Sequence, residues 1–453
     1  MALTFQGRHL LMILTNDHAL CVSEAEVRSV ISSFPAGSSG GPDGLGPQHL
    51  KALAGCRIAG PELIASLTAF VNLLLAGKCP VAKCFFGGKL IAIKKDNGDV
   101  RPIVIGFVMR RLASKLANSF GLTRISSSLC PTQIGAGVKG GCEAAIHATR
   151  RFVEGMSDDD VIVKLDFRNA FNCLHRDDIF KEVQKNIPEL LPYVNSSYGR
   201  PTILRFGSSF VSSAEGTQQG DPLGALLFCL AIHPLIESLS SDLVFGYPDD
   251  LTIGGSLLDV ERDVKRVIDV GADMGLSLNV TKSELLCPNG VIVAGDVLST
   301  FSRVEINKLT LLGAPLFSGP ALDEAWAGRC TEMSKAISKL KNIPSQDSLI
   351  LLRSSLGAPR IQHLLRCSFE VDHKGIILFD SLQREALSSV TNTTLSDNNW
   401  LQSKLPIKEG GLGIRAACDL AMPSLLASTH CTSTLQDASC LKELLVLVIM
   451  LWP

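Results

Sequence analysis

Three aspartates stand where side-chain chemistry is possible. Asp166 closes a short β-branched run, Val161-Ile162-Val163-Lys164-Leu165, long enough for one buried strand. Asp249 and Asp250 fall in the bend of a second segment, Tyr247-Pro248-Asp249-Asp250, at the centre of an expected hairpin over residues 243–253. If these strands neighbour one another in one sheet, three carboxylates meet at one edge. Like charges gathered in this way oppose one another's ionisation. A divalent cation removes that opposition, and oxygen ligands suit Mg²⁺, which keeps waters and shares its shell with phosphates. Two such ions ~3.5–4 Å apart can hold both the attacking and the leaving oxygens of an in-line displacement. The chemistry implied is nucleotidyl transfer: a primer 3′-hydroxyl attacks an α-phosphate and pyrophosphate leaves. Each piece also has a plainer reading. An Asp pair behind a proline suits a type I turn with its side chains in water, and an Asp at a strand end suits a cap. What favours the site is the order of the pieces along the chain, with suitable elements between them.

Those elements are legible in outline. Residues 89–93 and 100–105 read as two strands joined by a turn at Asp96-Asn97-Gly98, and 107–120 as a basic helix. A helix over 143–154 precedes the Asp166 strand, and one over 177–185 follows it. Residues 203–211 alternate like a hairpin around Gly207. Gly220-Asp221-Pro222 predicts a helix start, with Asp221 as N-cap and Pro222 at the first helical position. A helix over 259–274 stops at Gly275, and a strand is expected over 276–280. After Pro320 the pattern turns mostly helical, which places a domain boundary near 317–320. This succession predicts an α+β sheet with helices packed behind it.

Composition agrees with a globular chain. Of 453 residues 46% are hydrophobic and 19% charged, which excludes a disordered chain. No uncharged apolar run approaches the ~18 residues of a membrane span. Fourteen cysteines show no zinc spacing and read as reduced thiols of an intracellular protein, with nucleus and cytoplasm not distinguished. The net charge of −1 conceals an asymmetry: residues 78–151 hold thirteen Lys or Arg against three acids, a net +10. Such a block suits a phosphate-binding surface, or simply a solvated helical face.

Nine segments in order resemble the reverse transcriptase of a non-LTR retrotransposon, over about residues 41–316 and more weakly to about 428. Gly41-Pro42-Asp43-Gly44-Leu45, with Pro47 to Lys51, resembles the N-terminal extension of these enzymes. Lys95-x-x-Gly98-x-x-Arg101-Pro102-Ile103 resembles their fingers hairpin, and Gln133-x-Gly135-x-Gly137 with Gly140-Gly141-Cys142-Glu143 the next fingers segment. Leu165-Asp166-Phe167-Arg168-Asn169-Ala170-Phe171-Asn172, Gln218-Gln219-Gly220-Asp221-Pro222-Leu223-Gly224 and Tyr247-Pro248-Asp249-Asp250 are similar to successive palm motifs. Gly275-Leu276-x-Leu278-Asn279-x-x-Lys282-Ser283 and Leu311-Leu312-Gly313-Ala314-Pro315-Leu316 resemble the last palm segments. Leu405-Pro406 and Gly410-Gly411-Leu412-Gly413-Ile414-Arg415 resemble the end of the thumb.

The resemblance implies a right-hand polymerase. An N-terminal extension would occupy 1–77, fingers and palm 78–318 (fingers 78–155, an antiparallel palm sheet backed by helices within 156–318), and a helical thumb-like region with a tail 319–453. The activity implied is an RNA-directed DNA polymerase, acting on an RNA template, a DNA primer and dNTPs. Its cofactor would be two Mg²⁺ ions, with Mn²⁺ an alternative, and neither a membrane nor a further small-molecule cofactor is implied. Asp166, Asp249, Asp250 and the backbone carbonyl of Phe167 would hold the metal, and Lys282 would be the general acid. Lys95, Arg101, Phe167, Phe171, Gln219 and Gly220 would meet the nucleotide, with Phe171 excluding a ribose 2′-hydroxyl. Arg110, Arg111, Lys115 and Lys139 would contact phosphates, and 311–316 would position the primer end.

Pro248 departs from the family pattern, where Ala, Val, Leu or Met is usual. Proline removes an N–H and fixes φ near −65°. It either serves as the first corner of a tight hairpin or displaces Asp249. With no endonuclease or zinc-knuckle spacing in view, the chain reads as a polymerase core. The competing expectation is a catalytically impaired retrotransposon relic that at most binds RNA.

Overall fold

A computed structural model describes residues 19–94, 98, 100–287 and 297–439. Lys95 and the turn residues Asp96 and Asn97 lie outside the described residues, as does the tail 441–453. Eleven strands occur among the described residues: β1 Gly88–Lys94, β2 Val100–Gly106, β3 Asp160–Leu165, β4 Thr202–Phe206, β5 Ser209–Ser213, β6 Leu243–Tyr247, β7 Asp250–Ser256, β8 Glu284–Leu286, β9 Ser302–Arg303, β10 Thr310–Leu311 and β11 Ala314–Pro315. With the helices around them they make the expected α+β protein. None of the described helices is long and apolar enough to cross a membrane. The chain divides into two compact units, each assembled from separated stretches of sequence.

One unit gathers residues up to Cys130 with Phe167–Leu235 and Asp269–Ser277. Its sheet has the order β2-β1-β4-β5. β1 and β2 form the expected antiparallel hairpin, and β1 also pairs in parallel with β4. The helix expected to end at Phe120 instead runs over Val108–Leu129. Gly121 does not stop it. A Cβ at Gly121 would lie 2.5 Å from the Leu226 side chain, so the glycine lets two helices close on each other.

A buried polar network fixes the loop that precedes the helix Gly224–Glu237. Arg110 Nη2 meets Asp221 Oδ2 at 2.8 Å, and Arg110 Nη1 donates to Gln218 Oε1 at 2.6 Å. Arg110 also donates to the Phe86 carbonyl, and the Tyr198 hydroxyl donates to Asp221 Oδ2 at 2.6 Å. Burial would push the Asp221 carboxyl up, but Arg110 and Tyr198 hold it below the usual carboxylate range. Two expectations are adjusted by this network. Asp221 does accept the Leu223 N–H through Oδ1 at 3.2 Å, as a cap would, but the helix begins at Gly224 and the other carboxylate oxygen serves the ion pair. Arg110, only 2% exposed, is not placed to contact phosphates.

The other unit gathers Pro131–Asp166, Ile236–Ile268 and the chain from Leu278 onward. Its sheet has the order β6-β7-β3-β8-β9. The first four strands pair antiparallel as expected, while β9 joins β8 in parallel. The helix Gly141–Glu154 packs Ile146 and Phe152 into a core with Ile162, Leu243, Phe245 and Leu286. The strand expected over 276–280 does not form. That stretch is irregular, and the ladder resumes at Glu284–Leu286, because Asn279 bonds to the end of β3 rather than extending a strand. β10 and β11 close through Leu312 and Gly313, both at positive φ (48° and 79°), as a tight primed hairpin requires. After Pro320 helices gather a second core around Trp326, Ile361, Phe379 and Leu387.

Removing one partner of a buried ion pair leaves the other unpaired, which costs about 3–5 kcal/mol. Arg110→Met should therefore lower the urea midpoint by that equivalent, and the double variant Arg110→Met/Asp221→Leu should recover part of the loss.

Candidate active site

Strand register decides where the acids go. The β3–β7 ladder ends with Leu165 opposite Leu251, so the next step along each strand sets Asp166 against Asp250. The β6–β7 ladder ends with Tyr247 opposite Asp250, leaving Pro248-Asp249 as a two-residue loop. A single strand, β7, thus brings the hairpin acids to the end of β3. Asp166 and Asp250 both line a cleft of about 560 Å³, shared with Lys164, Lys282, Glu284 and Leu312.

The trio repels itself. The Asp250 carboxyl is pushed up to about 6 by desolvation in the cleft and then by the charges of Asp249 and Asp166; Lys164 works in the opposite direction. Lys164 relieves little, because its ammonium is paired with Glu284 at 2.7 Å. Asp166 is held from another side, by Asn279 Nδ2 donating to its Oδ2 at 2.9 Å. Among the described residues no three His, Cys, Asp or Glu side chains stand ready to hold an ion as placed. The donor set nevertheless fits a hard divalent cation: oxygen ligands that together carry negative charge.

The hairpin tip is supported by a segment that the sequence places among the fingers. Ile134 donates its N–H to the Gly246 carbonyl at 3.0 Å, and Gly246 donates to the Thr132 carbonyl at 2.7 Å, so residues 132–134 run beside β6. Gly135 leaves the hollow that the Pro248 ring fills. A Cβ there would stand 2.4 Å from Pro248 Cδ. Asp249 and Pro248 are absent from the positive-φ residues, so the loop is not a primed turn. Proline at its first corner fits that geometry.

Residues 93–316 match the family described as reverse transcriptase (RNA-dependent DNA polymerase). They form a reverse transcriptase domain. The relatives are retrotransposon proteins. The chain is 23% identical over 350 residues to the retrotransposable element SLACS 132 kDa protein of Trypanosoma brucei gambiense, covering 73% of this chain and 28% of that protein. It is 26% identical over 303 residues to the Pol polyprotein from the type-2 retrotransposable element R2DM of Drosophila melanogaster, covering 60% of this chain and 27% of that protein. The chain thus spans less than a third of each relative's length. A solved structure of apo telomerase from Candida tropicalis, truncated from its C-terminal domain, is similar at a TM-score of 0.37 with 13% identity, covering 51% of this chain and 53% of that one. That likeness is too distant to bear on the fold.

All the site residues expected from sequence lie inside the reverse transcriptase domain. Asp166, Asp250 and Lys282 line one cleft, with Asp249 at the hairpin apex beside it. The other expected residues divide between the units. In the first unit, Arg101 is exposed on β2, and Phe167 is buried. Phe171 is half-buried, its ring 4.6 Å from that of Phe228. Gln219 gives its carbonyl to the Val104 N–H at 2.7 Å, while its Oε1 is buried without a hydrogen-bond partner. Gly220 is exposed at φ +109°, and a Cβ there would lie 2.4 Å from the Val104 carbonyl oxygen. Close approach to β2 thus requires this glycine. Arg111 donates to the Ser39 carbonyl at 2.6 Å, and Lys115 lies over the Phe34 ring at 4.7 Å, so both are engaged within the protein. Lys139, in the second unit, is exposed. Sequence reading missed the roles of Asn279 and Gly135, although both stood inside motifs already quoted.

Two outcomes follow from this packing. Gly135→Ala should sharply reduce primer extension, Pro248→Ala alone should keep or raise it, and Pro248→Ala should partly rescue Gly135→Ala; a steady-state extension assay of the four proteins reads all three. The second concerns pH. A carboxyl with an unfolded value of 3.8 and a folded value of about 6 binds more protons folded than unfolded between those values. Its contribution to stability therefore falls as pH rises through that window. In EDTA at pH 7, Asp250→Asn should melt above the wild type, and the two should converge below about pH 4.

Proposed function

We propose that this chain is an RNA-directed DNA polymerase of a non-LTR retrotransposon, adding dNTPs to a primer 3′-hydroxyl by two-metal nucleotidyl transfer. The observation that carries the reading is the meeting of Asp166, Asp249 and Asp250 at the adjoining ends of β3 and the β6–β7 hairpin, where Asp249 and Asp166 help to push the Asp250 carboxyl up. Two Mg²⁺ bound there, or Mn²⁺ in their place, would supply a clamp on the attacking and leaving oxygens. Asp166 and Asp249 would be the direct ligands with the Phe167 carbonyl, and Asp250 would complete the negative field. As the primer hydroxyl gives up its proton to solvent and the O3′–Pα bond forms, the Pα–O bond to pyrophosphate breaks and Lys282 would pass its proton to the leaving oxygen. It lines the cleft and is open to solvent, which suits a proton donor that must be recharged.

The remaining assignments follow the same reading. Residues 78–155 would act as fingers, 156–318 as palm and 319–453 as thumb-like region, with 1–77 as an extension. Lys95, Arg101, Gln219 and Gly220 would receive the dNTP, and Phe171 would exclude a 2′-hydroxyl. Arg111, Lys115 and Lys139 would track template phosphates. The hairpin of β10 and β11 would position the primer end: Leu312 and Gly313 line the same cleft as the acids. The alternative, an impaired relic, rests on Pro248. That residue fills a hollow made by Gly135, which weakens the case for a displaced Asp249.

The decisive assay uses poly(rA) template, oligo(dT) primer and Mg²⁺, with dTTP set against UTP. Incorporation of dTTP that falls more than ~100-fold in Asp249→Ala supports the reading, since removing a group that only orients a ligand already costs ~10–100-fold. RNA binding without incorporation favours the relic, and preference for UTP would point to an RNA-synthesising enzyme.

A further inference from the structure

Residues 279–283 form a latch on Asp166. The Asn279 N–H donates to the Asp166 carbonyl at 2.7 Å, and the Asn279 side-chain amide donates to Asp166 Oδ2 at 2.9 Å. The Asp166 N–H donates in turn to Ser283 Oγ at 3.3 Å, and the Ser283 hydroxyl donates to the Asn279 carbonyl at 3.1 Å. These bonds close a ring in which both main-chain groups of Asp166 and one of its carboxylate oxygens are held by a single five-residue segment. The partners of the amide set its direction. An ionised carboxylate only accepts, so the N–H₂ end of the amide faces Asp166, and the Thr281 hydroxyl donates to the other end, Asn279 Oδ1, at 3.0 Å. Lys282 lies between Thr281 and Ser283, in the same turn.

From this ring we propose that Asn279 is a positioning residue for divalent-cation binding by Asp166: its amide fixes the carboxylate rotamer, occupies Oδ2 and leaves Oδ1 directed to the cation, while the same latch ties the Lys282 turn to the strand end that carries Asp166. The proposal rests on Asp166 being a metal ligand, as in the function proposed above. Its physics is that of any ligating group whose second oxygen is engaged by a fixed donor. The donor removes rotamer freedom before the ion arrives, so less is lost on binding. It also offsets part of the repulsion between Asp166 and its acidic neighbours. An amide suits that task better than a lysine, whose full charge would compete with the cation.

The test measures binding rather than turnover. Mn²⁺ is titrated into the full chain and followed by electron paramagnetic resonance of the free ion, alongside thermal melting in EDTA. Asn279→Ala removes the side chain but keeps the backbone N–H of the ring. Asn279→Asp keeps the shape and the bond from Thr281 but replaces the donor by a charge. Thr281→Val removes the group that orients the amide. The expected result is a roughly tenfold weaker Mn²⁺ affinity in Asn279→Ala, a larger loss in Asn279→Asp and a smaller one in Thr281→Val, with melting in EDTA lowered only slightly in Asn279→Ala and Thr281→Val and further in Asn279→Asp, which adds a like charge. Unaltered affinity in Asn279→Ala would overturn the proposal, as would a loss matched by an equal fall in melting temperature, which indicates a merely structural role. Asp166→Ala is the separating control. If it too leaves Mn²⁺ binding unchanged, the metal reading itself fails and takes this inference with it.

Discussion

The structure around the cleft is organised by one electrostatic constraint: backbone pairing forces carboxylates together that would separate if they were free. β7 is paired on both sides, to β3 and to β6, and it carries Asp250 at its first position. A slip of one residue would exchange Ile253 and Val163 with the differently shaped Thr252, Gly254, Ile162 and Lys164 on the other packed face, so the acids stay where the packing puts them. The surroundings soften the repulsion without cancelling it. Asn279 gives Asp166 a neutral donor, and Lys164 is committed to Glu284. What remains is a site whose charge is best satisfied from outside the chain.

The Arg110–Asp221 cluster shows the opposite solution. There a buried carboxylate meets a guanidinium, a tyrosine hydroxyl and a backbone N–H, and the charges are closed within the protein. Such a network holds a loop in place and asks nothing of a ligand. Both clusters begin from an aspartate at the edge of a secondary-structure element. What the carboxylates meet, a guanidinium in one cluster and one another in the other, is a tertiary matter that sequence alone does not reveal.

Much of this was readable from residue order. Alternation and β-branched runs located β3 and the β6–β7 hairpin, and three acids in family order located the cleft. What failed did so for tertiary reasons. Asp221 and Pro222 carry a strong helix-start signal, and Asp221 does accept the Leu223 N–H, but its second oxygen is taken by a buried arginine on another helix, which nothing in the local sequence signals. The stretch after Gly275 has the composition of a strand, yet Asn279 finds its partner at the end of β3. The basic block overstated the charge available at the surface. Arg110 and Arg150 belong to it, and both are buried; Arg150 donates to the Leu316 and Cys367 carbonyls at 2.6 Å each. The fit of Pro248 against Gly135 joins residues more than a hundred positions apart, and no local pattern announces it.

The central claim is that Asp166, Asp249 and Asp250 form one mutually repelling group that takes a divalent cation. The most direct measurement is the change in melting temperature of the full chain when EDTA is replaced by millimolar Mg²⁺ at pH 7. The account predicts a rise in the wild type that is lost in Asp166→Asn/Asp249→Asn, whose melting in EDTA already lies above the wild type. A wild type indifferent to Mg²⁺, or a double variant that still responds as the wild type does, would contradict it.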